Sequence, residues 1–322
     1  MYQFEGPDYY TRGIHQKLKH KFIETYLDIW VENVGGSGKV VPTVDFFDLF
    51  AATGKARSEE TGETWDGSAI IVARALAKYP RGNLLFLNSY NPDVNVSKIQ
   101  FDILKREIKS VVNDNPQFEK VKRVVISEKI EDAVEIALNN LNRNFPSVWV
   151  LDPEHPSDLP WNVIQKIASA VGNPYGPKGE RKKPELIINL MTSTLQRTIN
   201  TAPQIFTEAI GLPEEEWRAM YSKYETKWKK KGIEDCTRHV ILDIYGERLS
   251  SLYEKLPVMS LIPSKHGNIV YSMILCTDSN AGYYMMQKNL KTFEKYKIFE
   301  WKQEVMKIQD PDQSFLSDFT KS

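Results

Sequence analysis

A rhythm constrains this chain more than any other feature. Between about residues 40 and 190, apolar runs of strand type alternate five times with stretches of helical periodicity. The runs are Val40–Phe50, Leu84–Leu87 (ending at Asn88), Val121–Ile126, Val148–Leu151 and Leu186–Leu190. Between them apolar residues recur at helical spacing after Gly67-Ser68 (Ile70 to Ala77) and over Val96–Val112, Glu131–Leu141 and Trp161–Val171. Such alternation builds βαβ units and a parallel sheet with helices on both faces.

The flanks complete the pattern. Residues 1–13 read as a loose lead, and Ile14–Val34 as a helix stopped by Gly35-Gly36-Ser37-Gly38. On its polar face, Lys17, Lys19, His20 and Lys21 suit a solvated surface or a phosphate contact. Lys55–Asp66 is a polar stretch, and Gly172–Pro184 a Gly-, Pro- and Lys-rich loop. After the fifth strand the rhythm changes. Gln204–Asp235 reads as a polar and aromatic insertion and Arg238–Tyr253 as a helix. Pro257–Ile262 and Ile269–Thr277, joined by Ser264–Asn268, make a β-hairpin. A last helix covers Gly282–Tyr296, and the charged tail beyond Trp301 is expected to be loosely held. The expected fold is a doubly wound, Rossmann-like α/β domain. It has a mostly parallel seven-stranded sheet and a C-terminal antiparallel hairpin. It would occupy residues 40–322, behind an N-terminal lead and helix at 1–39.

Charge and cysteine content narrow the function classes. Lys plus Arg and Asp plus Glu both total 42, so a wholly basic nucleic-acid coat is excluded while a local patch is not. The two cysteines, Cys236 and Cys276, give no disulfide framework and no zinc spacing. With no apolar signal core and no long apolar run, the chain is expected in the cytoplasm, without a membrane partner.

Chemistry concentrates after the first strand, in Val44-Asp45-Phe46-Phe47-Asp48-Leu49-Phe50-Ala51-Ala52-Thr53-Gly54. An apolar run closing in small residues feeds a tight turn at the carboxyl edge of a parallel sheet, where nucleotide-like cofactors bind. It could equally be a buried strand with an ordinary turn. Other motifs stand in a fixed order around it. They are Lys19-His20-Lys21-Phe22 with Tyr26, Gly67-Ser68, Leu151-Asp152-Pro153 with Trp161, Ile187-Ile188-Asn189-Leu190 with Arg197, and Tyr271. In this set, from about Lys17 to about Met286, the chain resembles the three-Cys-motif partner proteins, which look like a branch of the class I S-adenosylmethionine-dependent methyltransferases. The resemblance implies S-adenosylmethionine as cofactor. Asp48, Phe50, Ala51, Ala52 and Gly54 would line its methionine end, Asn88 would meet the ribose, and Asp152 and Pro153 would face the transferring methyl. It also implies a separate protein bearing three cysteines as partner. Two departures matter. Ala52 stands where such enzymes read glycine, and Asn88 where they read Asp or Glu. A degenerate binding or partner protein on the same fold is the alternative to an enzyme.

The acceptor expected from the residues is a nucleic acid, or something bound to one. In the insertion, Tyr224 and Trp228 are interleaved with Lys227, Lys229, Lys230 and Lys231, and Lys178–Lys183 add a second basic loop. Aromatics among cations can stack on bases while the cations meet phosphates. The same aromatics, with Trp217 and Tyr221, also fit the core face of an amphipathic helix. Neither cysteine lies near the fourth strand, so a thiol nucleophile is not expected. Asp152, Glu154, His155 and Asp158 are close in sequence, but no metal site is expected.

Overall fold

The computed structural model describes residues 10–35, 43–58, 61–78, 82–172, 183–264 and 269–309. The start of the Val40 run, the end of the Gly35–Gly38 stop, most of the Gly172–Pro184 loop and of the Ser264–Asn268 turn, and the last residues of the tail lie outside them.

Five parallel strands form the centre: β2 (Val44–Asp48), β5 (Gly82–Asn88), β6 (Lys122–Ile126), β7 (Ser147–Leu151) and β8 (Glu185–Leu190). Two more, β9 (Val258–Pro263) and β10 (Ile269–Cys276), form the hairpin. The order across the sheet is β6-β5-β2-β7-β8-β10-β9, and only β10 runs antiparallel to its neighbours β8 and β9. This is the arrangement of a class I methyltransferase-like, Rossmann-like fold, with the sheet reversing direction of growth at β2. Every residue of β2, β7 and β8 is buried, as strands covered on both faces must be.

Helices α1 (Ile14–Trp30), α2 (Ser68–Lys78) and α3 (Val94–Asn113) share one core with α10 (Asn280–Gln309). The other face is covered by α4 (Ile130–Asn140), α5 (Trp161–Ser169), α6 (Thr192–Thr198), α7 (Pro203–Ile210), α8 (Glu214–Lys229) and α9 (Thr237–Ser250). Among the described residues no helix is long and apolar enough to cross a membrane.

Two expectations are corrected, one in the lead and one in the tail. Residues 10–12 are a strand, β1 (Tyr10–Arg12), rather than loose lead. It pairs with β3 (Lys55–Ser58), which pairs with β4 (Thr64–Asp66), so the polar stretch is a small second sheet. The last described helix, α10, runs to Gln309, well into the expected loose tail. The insertion is two helices, α7 and α8, hinged at Gly211, whose φ of +63° ends α7 in the left-handed region.

Candidate functional site

The turn after β2 is built by backbone chemistry. Phe50 N–H donates to Asp48 Oδ1 at 2.9 Å, and Ala51 N–H to the Asn88 carbonyl at 2.7 Å, which fastens the turn to the end of β5. The chain then passes through Ala52 at φ +47° and Gly54 at φ +79°. Among the described residues Ala52 is the one non-glycine with positive φ, so the methyl sits where the backbone favours glycine. At Gly54 a Cβ would lie 3.0 Å from Ile70 Cγ1, and one at Gly67 would lie 3.1 Å from the Gly54 backbone. At both, the neighbours would have to give by a few tenths of an ångström to admit a methyl group.

This turn opens onto a cavity of about 530 Å3, mouth included. Its walls are Phe50, Ala51, Ala52 and Gly54 after β2, Gly67 and Ser68 at the start of α2, Asp152 and Pro153 after β7, Gln16, Lys19 and His20 on α1, and Tyr271 on β10. The cavity lies at the carboxyl ends of β2 and β7, where a doubly wound sheet opens a crevice for a ligand.

A buried polar network lines it. Lys19 Nζ donates to Asp152 at 2.7 Å, and Asn189 Nδ2 donates to Asp152 Oδ1 at 2.8 Å. His20 Nε2 stands 4.0 Å from Asp152 Oδ2, while its Nδ1 accepts from Trp65 Nε1 at 2.8 Å. Gln16 Nε2 donates to the Tyr271 hydroxyl at 2.7 Å. Burial alone would raise Asp152, but the Lys19 ammonium, His20 and the two hydrogen bonds outweigh it and hold the carboxyl below its usual range. Asp48, fully buried one strand away, goes the other way. Burial pushes it up to about 7, against the Phe50 amide and the nearby Ser68 and Lys19, and its Oδ2 has no hydrogen-bond partner.

Most of the residues expected to bind the cofactor or face the methyl therefore meet. Phe50, Ala51, Ala52, Gly54, Asp152 and Pro153 share one cavity, while Asp48 is fully buried and not part of its lining. Asn88 does not reach it. Its Nδ2 donates to the Leu49 and Glu128 carbonyls, both at 3.2 Å, and its Oδ1 accepts from Glu128 N–H at 3.1 Å. The amide is a clamp between the ends of β2, β5 and β6. Lys19 and His20 are not a solvated face, since both are more than nine-tenths buried. With Gln16 they stand at i, i+3 and i+4, a polar stripe on one face of α1.

The basic and aromatic residues of α8 are elsewhere and differently used. Trp217 is fully buried, and Tyr221, Tyr224 and Trp228 pack on the same core. Trp228 Nε1 donates to Asp243 at 2.9 Å, and Tyr224 donates to Glu247. Lys227 pairs with Asp243, Lys229 with Glu225, and Lys231 lies over the Trp228 ring at 4.6 Å. The stripe faces α9, as the core face of an amphipathic helix does. Of the lysines expected to meet phosphate, Lys230 is thus the one that carries no comparable pairing among the described residues. Cys236 and Cys276 are both buried free thiols, pushed up chiefly by burial. Among the described residues no cluster of His, Cys, Asp and Glu is placed to hold a metal.

No family model matches the chain, and no curated protein matches it. Among solved structures, it is similar to the crystal structure of protein LPL1258 from Legionella pneumophila str. Philadelphia 1, family-model DUF519. That match has 11% identity and a TM-score of 0.39, and covers 62% of this chain and 75% of that one. The likeness is too slight to carry anything about the site. The sheet order defines a mixed α/β, Rossmann-like fold with a C-terminal antiparallel strand pair.

Proposed function

We propose that this chain is an S-adenosylmethionine-dependent methyltransferase acting on a nucleic acid or a nucleic-acid-associated acceptor. One observation carries the reading: the left-handed turn at Ala52 and Gly54 and the Asp152-Pro153 pair open into one cavity at the carboxyl edge of β2 and β7. The donor set fits the methionine end of the cofactor. The turn has small side chains, and glycine at 54 and 67 keeps the backbone bare. At the close of β5 stands Asn88 rather than a carboxylate, and its amide is bonded to the Leu49 and Glu128 backbone.

When bound, the cofactor would supply an electrophilic methyl group on sulfonium sulfur. The chain's own part is positioning. Asp152, ionised and fixed by Lys19 and Asn189, would accept a hydrogen bond from the incoming nucleophile. Lys19 keeps that carboxylate charged inside a buried wall. Pro153 sets the direction of the chain beside it. A partner with three cysteines belongs to the same reading through the family resemblance, and a reducing compartment suits the two buried thiols.

Titration calorimetry with S-adenosylmethionine and S-adenosylhomocysteine tests this. Binding of both, with Asp152→Asn keeping the binding and losing transfer to nucleic acid, is expected. No heat with either ligand would overturn it. One observation favours the rival, a binding or partner module on this fold: the Asp152 carboxylate is already held by Lys19 and Asn189, and an acceptor must share it. That reading expects cofactor binding without transfer, or neither.

A further inference from the structure

The small sheet delivers one side chain to the wall of the central cavity. β3 leaves the Gly54 turn directly, and its register with β4 sets Trp65 opposite Ala56, which lines that cavity. Just before β4, Glu63 pairs with Lys17 of α1 at 3.0 Å, which ties the hairpin to the helix. Trp65 is held half-buried against α1, its ring centre 6.4 Å from that of His20 and inclined to it by 54°. In this pose Trp65 Nε1 donates to His20 Nδ1 at 2.8 Å. An indole N–H can only donate. The Nδ1 that receives it must therefore keep its lone pair, because a proton there would set two N–H groups head to head across 2.8 Å. A neutral imidazole with Nδ1 unprotonated carries its one proton on Nε2. Nε2 is the ring nitrogen on the Asp152 side, 4.0 Å from Oδ2, and both residues line the cavity.

We infer that Trp65 is a positioning residue, which fixes His20 as a neutral imidazole with its proton on Nε2, on the cavity side. His20 is then a donor to the cavity and not a base. Its lone pair lies at Nδ1 and is committed to the indole. Of the two groups, only the Asp152 carboxylate can accept, and whatever meets Nε2 must bring an acceptor atom. The part played in transfer rests on the methyltransferase reading. There the hydrogen of an incoming nucleophile is directed to Asp152, while His20 holds an acceptor atom beside it. The lock itself stands on the hydrogen bond alone.

Nitrogen-15 NMR of the histidine rings tests this on the intact chain at about pH 7, with His20 assigned by the signals lost in His20→Gln. The parent is expected to show an unprotonated Nδ1 and a protonated Nε2 at His20. It should also show a scalar coupling across the hydrogen bond from Trp65 Nε1 to His20 Nδ1. Trp65→Phe keeps an aromatic ring and removes the N–H. It should abolish that coupling and move the Nδ1 signal toward the protonated position, because nothing then reserves the lone pair and the Asp152 carboxylate favours a second proton, against Lys19. A parent with a proton on Nδ1, as the other tautomer or as imidazolium, would overturn the inference. So would a folded Trp65→Phe protein whose His20 signals match the parent's, since Trp65 would then not be what sets them. The parent spectrum decides the tautomer whether or not the variant folds. None of these readouts needs the cofactor. A locked His20 in a protein that binds neither S-adenosylmethionine nor S-adenosylhomocysteine supports the lock and removes only its part in transfer. A protein that binds the cofactor and lacks the lock overturns the inference and leaves the methyltransferase reading standing.

Discussion

Replacing Ala52 by glycine should stabilise the protein, which is unusual for removing a methyl group. At φ +47° the Cβ of an L-residue crowds its own backbone, at a cost of about 1–2 kcal/mol. Glycine relieves that, but its extra freedom in the unfolded chain takes back about 0.5–1 kcal/mol. Ala52 is only half-buried, so removing its methyl forfeits little packing. The net expectation is a gain of about 0.5–1 kcal/mol. In a domain of this size that moves Tm upward by about 1–3 °C, within reach of calorimetry or of a urea midpoint at constant m. Gly54→Ala supplies the opposite control. Its φ is +79°, and the added Cβ meets Ile70 Cγ1 at 3.0 Å and Leu104 Cδ1 at 3.2 Å. Strain and overpacking together should cost about 2–4 kcal/mol. An Ala52→Gly protein that melts below the parent, with m unchanged, would refute the backbone account of this turn.

Lys19→Met should cost about 3–5 kcal/mol in chemical denaturation, because it strands the buried Asp152 charge. Asn88→Asp should lose stability by about 2–4 kcal/mol rather than improve cofactor binding, since a carboxylate would replace the donor facing the Leu49 and Glu128 carbonyls; a stable variant with tighter cofactor binding would show that the side chain turns outward. Asp48 is raised from 3.8 to about 7, so the folded state holds a proton that the unfolded state has released, and this group's contribution to stability falls as pH rises through that window. Asp48→Asn should therefore flatten the decline of stability between about pH 4 and 7, read from melting at several pH values. Trp228→Ala should lower stability by about 2–4 kcal/mol without changing oligonucleotide affinity, as the indole packs on α9 and bonds Asp243.

The sheet was legible because its central strands are covered on both faces, and such strands are written as unbroken apolar runs. The small sheet of β1, β3 and β4 was not, because its strands are three or four residues long and polar, so neither period nor composition marks them. The first turn could be read as a break in a glycine pattern at Ala52, but its left-handed angle belongs to the folded backbone. For Asn88 the sequence supplied a position and not a direction, and three backbone groups from distant segments decide where its amide points. In α8 the same tryptophan and tyrosine spacing serves stacking or packing. The choice is made by Asp243 and Glu247 on α9, which lie outside the stretch that carries the signal. Lys19 and His20 looked like surface until the chain after β7 returned Asp152 to them.

The order β8-β10-β9 has a consequence for how the chain is made. β10 is the last strand to be synthesised, yet it fills the gap between β8 and β9. Until residue 276 has left the ribosome, β8 presents an open edge of the sequence Glu-Leu-Ile-Ile-Asn-Leu, with Leu186, Ile188 and Leu190 making one face wholly apolar and Ile187 standing between Glu185 and Asn189 on the other. An edge of that kind templates strand addition from another chain. A nascent or truncated chain ending before β10 is thus a sticky one, and the final strand acts as the stopper that makes the finished molecule safe to release.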